Sequence, residues 1–289
     1  MSGRVCIVTG ANSGIGKNVA RALAGSGATV VMVCRDRKKG EEARDEIYAA
    51  RKDQSIELMF ADFSSLDSVR KLASDFRKTH DRLHLLVNNA GLIIGKRTLT
   101  ADKLETTFQV NYLSHFLLTN LLLDTMRASA PSRIVNISSA AHFRGHIDFD
   151  DLQGDGHYSA IKSYSQSKLA QVLFTQELAK RVNGYGVTVN CVHPGAVRTN
   201  WGDEAGLLGI GIRIARPFMI SSEKGAETPL FVATSPDIEG VTGKYFSKNK
   251  VTKSSQESYD ESTSKKLWDI SMELSGLQQD YLENNTRAG

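Results

Sequence analysis

Tyr164 and Lys168 stand four residues apart in Tyr-Ser-Gln-Ser-Lys. The surrounding stretch, about 162–183, has the apolar periodicity of a helix. Four residues is about one turn, so phenol and ammonium would share a helical face. A phenol has a reference pKa of about 10 and barely ionises at neutral pH. A cation beside it favours phenolate. Bringing the pKa to about 7 takes roughly 4 kcal/mol of differential stabilisation, at about 1.36 kcal/mol per unit. A phenol tuned in that way is a general acid or base for a carbonyl and its alcohol. The same two residues also fit a plain amphipathic surface helix, so the pair needs partners elsewhere in the chain.

The N-terminus holds a second group. Val5-Cys6-Ile7-Val8 is a short apolar run that reads as a buried strand. It leads into Thr9-Gly10-Ala11-Asn12-Ser13-Gly14-Ile15-Gly16-Lys17, and a helical stretch, Lys17 to Ala24, follows. Strand, glycine turn and helix in that order bring backbone N–H groups to a pyrophosphate at a helix N-terminus. The spacing is GxxxGxG rather than the commoner GxGxxG. A phosphate loop of the NTPase type is excluded, because Ala11 and Asn18 stand where it needs Gly and Ser or Thr.

Together these residues resemble the short-chain dehydrogenase/reductase family, and the likeness runs in order through nearly the whole chain. It implies that Gly10, Asn12, Ser13, Gly14, Ile15 and Gly16 form the dinucleotide turn. Asn88-Asn89-Ala90-Gly91, after a strand at Leu83 to Val87, resembles the cofactor-wall motif, which brings in Asn89, Ala90 and Gly91. Asn111, Ser139, Tyr164 and Lys168 match the family's catalytic tetrad. Pro194-Gly195, after Val187 to Val192, resembles its nicotinamide-side loop, with Val197 following and Thr199 near the carboxamide. Within the family the likeness is to the retinol dehydrogenase branch. It is carried by Cys34-Arg35-Asp36, Asn136-Ile137-Ser138-Ser139-Ala140-Ala141-His142, Gly243-Lys244-Tyr245-Phe246-Ser247 and Leu267-Trp268-Asp269-Ile270-Ser271.

The resemblance implies hydride transfer between a nicotinamide and a carbonyl carbon. Tyr164 would give or take the proton. Lys168 would bias its pKa and hold the nicotinamide ribose. Ser139 would hydrogen-bond the carbonyl, with Ser138 as its local rival. Asn111 would position a water that connects Lys168 to solvent; from the residue alone, a helix kink or a mid-helix polar contact fits as well. The expected activity is that of an NADP(H)-dependent alcohol dehydrogenase or carbonyl reductase (EC 1.1.1.-) on an apolar substrate such as retinal/retinol. A steroid, lipid or xenobiotic carbonyl reductase is an alternative. So is a non-enzymatic NADP(H)-binding regulator, although a pure sensor has no need of Tyr164 and Lys168 together.

The cofactor preference rests on the end of the second strand. In NAD-using folds an acidic residue there accepts from the ribose 2′-OH. Here neutral Cys34 looks to hold that position, and Arg35 follows, with Arg37, Lys38 and Lys39 nearby. A guanidinium fork welcomes a 2′-phosphate that Asp would repel. A solvated basic helix start is the bland reading, but positive charge at a helix N-terminus opposes the dipole. Asp62, with Phe63 beside it, follows the third strand and resembles the family's adenine contact; a helix cap explains Asp62 equally well locally.

These groups need a scaffold. Apolar runs at 4–9, 29–34, 56–61, 83–88, 133–138 and 186–192 alternate with periodic stretches near 14–26, 36–52, 65–79, 101–129, 162–183 and 221–235. That alternation predicts βαβ units. The expected fold class is α/β: one Rossmann-type doubly wound parallel sheet with helices on both faces, a single domain over 1–289. A short strand at 243–247 and a terminal helix near 258–275 complete it. Two segments face the substrate side. Residues 140–163 hold His142, His146, Asp148, Asp150, Asp151 and His157, but read as glycine-bearing loop, so no metal is expected. In the segment 200–222, Gly206 to Ile220 is apolar and glycine-rich; it suits a lid, a shallow membrane contact or core.

Composition sets the outer bounds. A net charge of +4 over 289 residues, with 40% hydrophobic content, fits a sizeable core and carries no nucleic-acid signature. Cys6, Cys34 and Cys191 are isolated in apolar runs, as expected of reduced thiols in a reducing compartment. The first strand begins at about residue 4, leaving no room for a secretory signal, and no stretch reaches the ~20 apolar residues of a membrane span. The expected location is cytoplasmic, with peripheral membrane contact and homo-oligomerisation left open.

Overall fold

The computed structural model describes residues 1–50, 55–198 and 219–278. Its strands are β1 (Val5–Thr9), β2 (Thr29–Cys34), β3 (Ser55–Phe60), β4 (Leu85–Asn88), β5 (Ser132–Ile137), β6 (Val187–His193), β7 (Tyr245–Ser247) and β8 (Lys250–Thr252). They form one sheet in the order β3-β2-β1-β4-β5-β6-β7-β8. All neighbours are parallel except β7 and β8. The central strands read as unbroken apolar runs because both their faces are covered. Ile7 of β1, for example, lies between Val31 of β2 and Leu86 of β4, and all three are fully buried.

One face is covered by α1 (Gly14–Gly25), α2 (Arg37–Ala50) and α7 (Ser222–Thr234). The other carries α3 (Leu66–Thr79), α5 (Ser114–Ala128) and α6 (Ala160–Arg181), with α8 (Glu261–Leu274) packed on α6. Phe116 of α5 meets Phe174 of α6 at 5.2 Å and Trp268 of α8 at 4.9 Å between ring centroids. The Leu267-to-Ser271 motif is therefore a core contact, and Ser271 bonds the Tyr112 hydroxyl at 2.7 Å.

The structure departs from the expected elements in three places. The helix expected from 101 begins later. A bridge between Leu99 and Glu105 closes a turn, and the Glu105 carboxylate then accepts from the N–H groups of Thr107 and Phe108 at 2.9 and 2.7 Å. A cap of that kind satisfies N–H groups that have no helical partner. A single turn, α4 (Thr106–Phe108), passes into a π turn, Gln109–Leu113, and then into α5. Second, β8 was not expected. It returns through Lys248 and Asn249, both at positive φ (51° and 60°), as a two-residue hairpin of primed geometry demands. Third, residues 140–163 are not wholly loop: a 3-10 turn spans Ala140–Arg144, and α6 starts at Ala160 with Ser159 as its cap.

The strand order reverses between β1 and β4, the topological switch point of such sheets. There the first glycine turn presses on the loop after β4. A Cβ on Gly16 would stand 2.5 Å from both Asn89 Nδ2 and the Gly10 carbonyl oxygen. Gly16→Ala should therefore force the two loops apart. We expect a loss of about 1–3 kcal/mol, the usual cost of overpacking, measured by urea denaturation. Parental stability would show that the contact yields.

Candidate active site

The glycine turn is held by a hub that the sequence reading quoted but gave no role. Thr9, the last residue of β1, is fully buried. Its Oγ1 accepts from the N–H groups of Asn89 and Ala90, each at 2.9 Å. His115 Nε2 lies 3.1 Å from the same oxygen, and His115 Nδ1 lies 3.1 Å from the Asn111 carbonyl oxygen. A carbonyl only accepts, so Nδ1 carries the proton and Nε2 accepts from the Thr9 hydroxyl. Burial pushes the His115 pKa down to about 3, so the ring stays neutral. Asn89 returns the contact, its Nδ2 donating to the Thr9 carbonyl at 2.8 Å. The spacing Asn111–His115, one turn apart, was the available sequence signal for this link.

Asn111 sits within the π turn and is fully buried. Its Oδ1 accepts from the Leu92 N–H at 2.8 Å, while Nδ2 donates to the Leu92 carbonyl at 2.9 Å and to Ser167 Oγ at 3.0 Å. Ser167 in turn donates to the Tyr164 carbonyl at 2.8 Å. Both N–H bonds of the amide are thus committed to protein, and Asn111 clasps the loop after β4 to α6. π turns of this kind are frequent at functional sites. Glu105 makes a parallel tie: besides capping α4 it accepts from Ser163 Oγ at 2.8 Å. The starts of the helical stretches bearing Asn111 and Tyr164 are joined through one carboxylate.

Tyr164 and Lys168 lie on one face of α6, with Lys168 Nζ 5.5 Å from the Tyr164 ring centroid. Burial pushes the Tyr164 pKa up to about 12, and the hydrogen bond with Ser139 pulls the other way. Lys168 is not among the groups that shift Tyr164 here. The ammonium is instead engaged by the Ile137 carbonyl and Gln171 Oε1, both at 3.0 Å. Burial brings Lys168 itself down to about 8. Ser139 is half-buried, and its Oγ accepts from the Ala141 N–H at 3.2 Å, which leaves its O–H to donate. Its rival Ser138 is buried and donates to the Lys168 carbonyl at 2.8 Å, a backbone tie.

The remaining predicted residues spread along the same edge of the sheet. Gly10 and Gly14 have positive φ, Gly16 is buried, and Ser13, ahead of α1, makes no side-chain capping bond. Asn12 and Ile15 are half-buried beside it. Gly91 is exposed; a Cβ there would stand 3.2 Å from Asn111 Oδ1 and 3.7 Å from Lys168 Nζ. Arg35 is exposed past the end of β2 and has no ion-pair partner among the described residues. Its neighbour Arg37 lies over the Phe60 ring at 4.1 Å. Cys34 points under α2, where a Cβ on Gly40 would stand 3.3 Å from its Sγ. Asp62 accepts from the Ser64 N–H and hydroxyl at 2.9 and 2.7 Å, and Ser65 caps α3. Phe63 is buried against the His115 ring. After β6, Pro194 and Gly195 (φ 95°) precede Val197, which bridges Ile220 and packs against Gly225. Thr199, and residues 206–218 of the lid expected over 206–220, lie outside the described residues.

Among the described residues no group of three His, Cys, Asp or Glu side chains could hold a metal ion. His142 is spent between the Ser139 carbonyl and the Ser255 N–H, and His146 pairs with Glu257. A cavity of about 490 Å³ lies at the opposite, N-terminal end of the strands, lined by Arg4, His84, Arg133 and Glu239 among others. It contains none of the predicted site residues. The glycine turn, by contrast, has the arrangement that suits a dinucleotide: it joins the end of β1 to the N-terminus of α1 at the switch point of the sheet, with Ser13 ahead of the helix making no side-chain capping bond.

Thr9→Val keeps the shape of the hub and removes its hydroxyl. Two half-buried N–H groups and the buried His115 Nε2 would lose a partner. At about 1–3 kcal/mol per unsatisfied buried group, the variant should lose at least ~2 kcal/mol in urea denaturation. A loss below ~0.5 kcal/mol would refute the hub.

Comparison with known proteins agrees with this architecture. The short chain dehydrogenase family model matches residues 4–206. Bovine (Bos taurus) retinol dehydrogenase 12 is 46% identical over 276 residues, 96% of this chain and 87% of that protein. Of solved structures, an uncharacterised protein from Mycobacterium paratuberculosis superposes with a TM-score of 0.77 at 32% identity, over 95% of this chain and 94% of that one. The Pseudomonas aeruginosa RhlG/NADP active-site complex does so at 0.68 and 26%, over 85% and 94%. With a Rossmann-type sheet, a glycine turn at its switch point and Tyr164 and Lys168 on one helical face, the chain belongs to the short-chain dehydrogenase/reductase family of oxidoreductases, in its retinol dehydrogenase-like branch.

Proposed function

We propose that the protein interconverts a carbonyl and an alcohol by hydride transfer, using NADP(H), on an apolar substrate such as retinal/retinol. The observation that carries the reading is the meeting of Ser139, Tyr164 and Lys168, with the exposed Gly91 against Lys168. Bound there, the dinucleotide would supply the hydride and, when oxidised, a ring cation that favours phenolate. Tyr164 gives a proton to the carbonyl oxygen in reduction and takes one in oxidation. With its pKa pushed up to about 12, Tyr164 holds that proton throughout the neutral range. Ser139 donates a hydrogen bond to the same oxygen as negative charge builds on it. Asn111, through Ser167, fixes the turn of α6 that carries Tyr164.

For the cofactor, the N–H groups at the start of α1 and the Ser13 hydroxyl would hold the pyrophosphate, and Arg35 the 2′-phosphate. The NADP-bound relative supports that choice. For the substrate, Phe143, in the 3-10 turn that follows Ser139, and Ile161, three residues before Tyr164 on α6, are 53% and 51% exposed. Large apolar side chains left in water on the elements that carry polar site residues suit an apolar ligand. The free, buried cysteines suit a reducing compartment such as the cytoplasm. Among the described residues no helix is long and apolar enough to cross a membrane.

Two experiments test this. Tyr164→Phe should abolish NADPH-dependent reduction of retinal while cofactor affinity, read by fluorescence quenching, stays within a few-fold. Turnover close to the parent would overturn the role of Tyr164. Arg35→Ala removes charge-assisted bonds worth about 1.5–3 kcal/mol. It should weaken NADPH roughly ten- to a hundredfold and leave NADH nearly unchanged. Equal losses for both would make Arg35 structural.

A further inference from the structure

Lys168 presents an electrostatic problem that the tetrad alone does not solve. Its side chain is 4% exposed, and no carboxylate pairs with it among the described residues. A buried ammonium without a counter-charge tends to lose its proton. The titratable groups around it give little help. Tyr164, one turn earlier on α6, keeps its proton at neutral pH. Cys191 on β6 is pushed up to about 12 by burial and stays a neutral thiol. His115 on α5 is a neutral imidazole, and Lys168 is one of the causes that depress it. What remains is dipoles: the Ile137 carbonyl at the end of β5, and Gln171 Oε1, the side-chain acceptor bonded to Nζ among the described residues.

Gln171 lies three residues after Lys168, hence on the same face of α6. It is 2% exposed. Its backbone is anchored by a buried polar ladder that crosses from the sheet. Asn88 Nδ2 donates to Asn136 Oδ1 at 2.8 Å, Asn136 Nδ2 to Thr175 Oγ1 at 2.9 Å, and Thr175 Oγ1 to the Gln171 carbonyl at 2.8 Å. Its Nε2 is buried without a hydrogen-bond partner among the described residues. A solitary buried amide N–H₂ is costly, so the oxygen's contact with Lys168 is what gives this polar side chain a place in the interior.

We propose that Gln171 is a positioning residue for the reaction: its amide oxygen holds the Lys168 ammonium charged and aimed at the site. This rests on the reading of Tyr164 and Lys168 as the acid–base pair. The ammonium has three donors; two are taken by Gln171 and Ile137, which leaves one to point at a ligand. Gln171 thereby sets the pH at which the site loses its cation.

The test uses two substitutions of opposite sign. Gln171→Leu removes the acceptor at similar size and should lower the Lys168 pKa by about one to two units, given the strength of hydrogen bonds to charged groups. Gln171→Glu puts a carboxylate in its place and should raise it. Two readouts follow: the alkaline limb of the kcat/KM profile for NADPH-dependent retinal reduction, expected near pH 8 in the parent, and the Lys168 Cε–Hε resonance titrated by NMR in the free protein. Opposite displacements of both support the proposal. Unmoved limb and resonance in both variants overturn it, even if kcat falls, because a merely structural role would lower activity without shifting the titration. Should Gln171→Leu fail to fold, the upward shift in Gln171→Glu still decides. Lys168→Ala and Tyr164→Phe separate the two levels: if they abolish reduction while the Gln171 variants titrate like the parent, only the role of Gln171 falls. If they leave turnover intact, the acid–base reading itself fails.

Discussion

The constraint on which the rest depends is a backbone approach at the switch point of the sheet. The turn after β1 and the loop after β4 lie some eighty residues apart in sequence, yet Gly10 and Gly16 have no room for a side chain against Asn89 and Ala90. Thr9 locks the approach by offering one oxygen to two N–H groups, and His115 Nε2 accepts a hydrogen bond from the same hydroxyl. His115 then passes the constraint to Asn111 through the carbonyl of the π turn. The glycine turn and the helices bearing Asn111 and Tyr164 are therefore mechanically continuous. A neutral, buried imidazole can serve that purpose at any ordinary pH, because desolvation keeps it from charging.

A second theme is the use of neutral dipoles where charges would be expected. Lys168, Tyr164 and Cys191 are all held by hydrogen bonds to amides, hydroxyls and carbonyls. A fixed carboxylate beside Lys168 would hold the ammonium more strongly, but it would also raise the phenol's pKa and repel an anionic cofactor. Fixed dipoles avoid both. Glu105, a carboxylate beside the start of α6, is spent on helix N–H groups and Ser163.

Much of the scaffold could be read directly. Each run of β-branched residues expected as a strand lies within a residue or two of an observed one, because burial on both faces writes itself as an unbroken apolar run. Helix boundaries were readable where a Ser cap precedes them, as at Ser65 and Ser221. They were misread where the cap is a glutamate after a turn, as at Glu105, since Glu is an ordinary helix former and gives no stop signal. The β8 hairpin escaped because its turn uses Lys248 at positive φ, a residue that seldom adopts it.

The amino-acid sequence by itself determined the fold class, the family and the chemical types at the site, since these depend on residue kinds and on spacings short enough for one helix or one turn to enforce. The tertiary structure decided what those residues are bonded to. Two adjacent serines, 138 and 139, are equivalent on paper; only the packing of β5 against α6 sends one to a backbone carbonyl and leaves the other facing Tyr164. A phenol beside a lysine suggests a low pKa in sequence, yet burial pushes Tyr164 up to about 12, because desolvation depends on everything packed around a group and not on its neighbours along the chain. The partners of Thr9 and Asn111 belong to the same class: each of those bonds joins segments brought together only when the sheet closes, whereas the ties of His115 to Asn111 and of Gln171 to Lys168 lie within one helical turn.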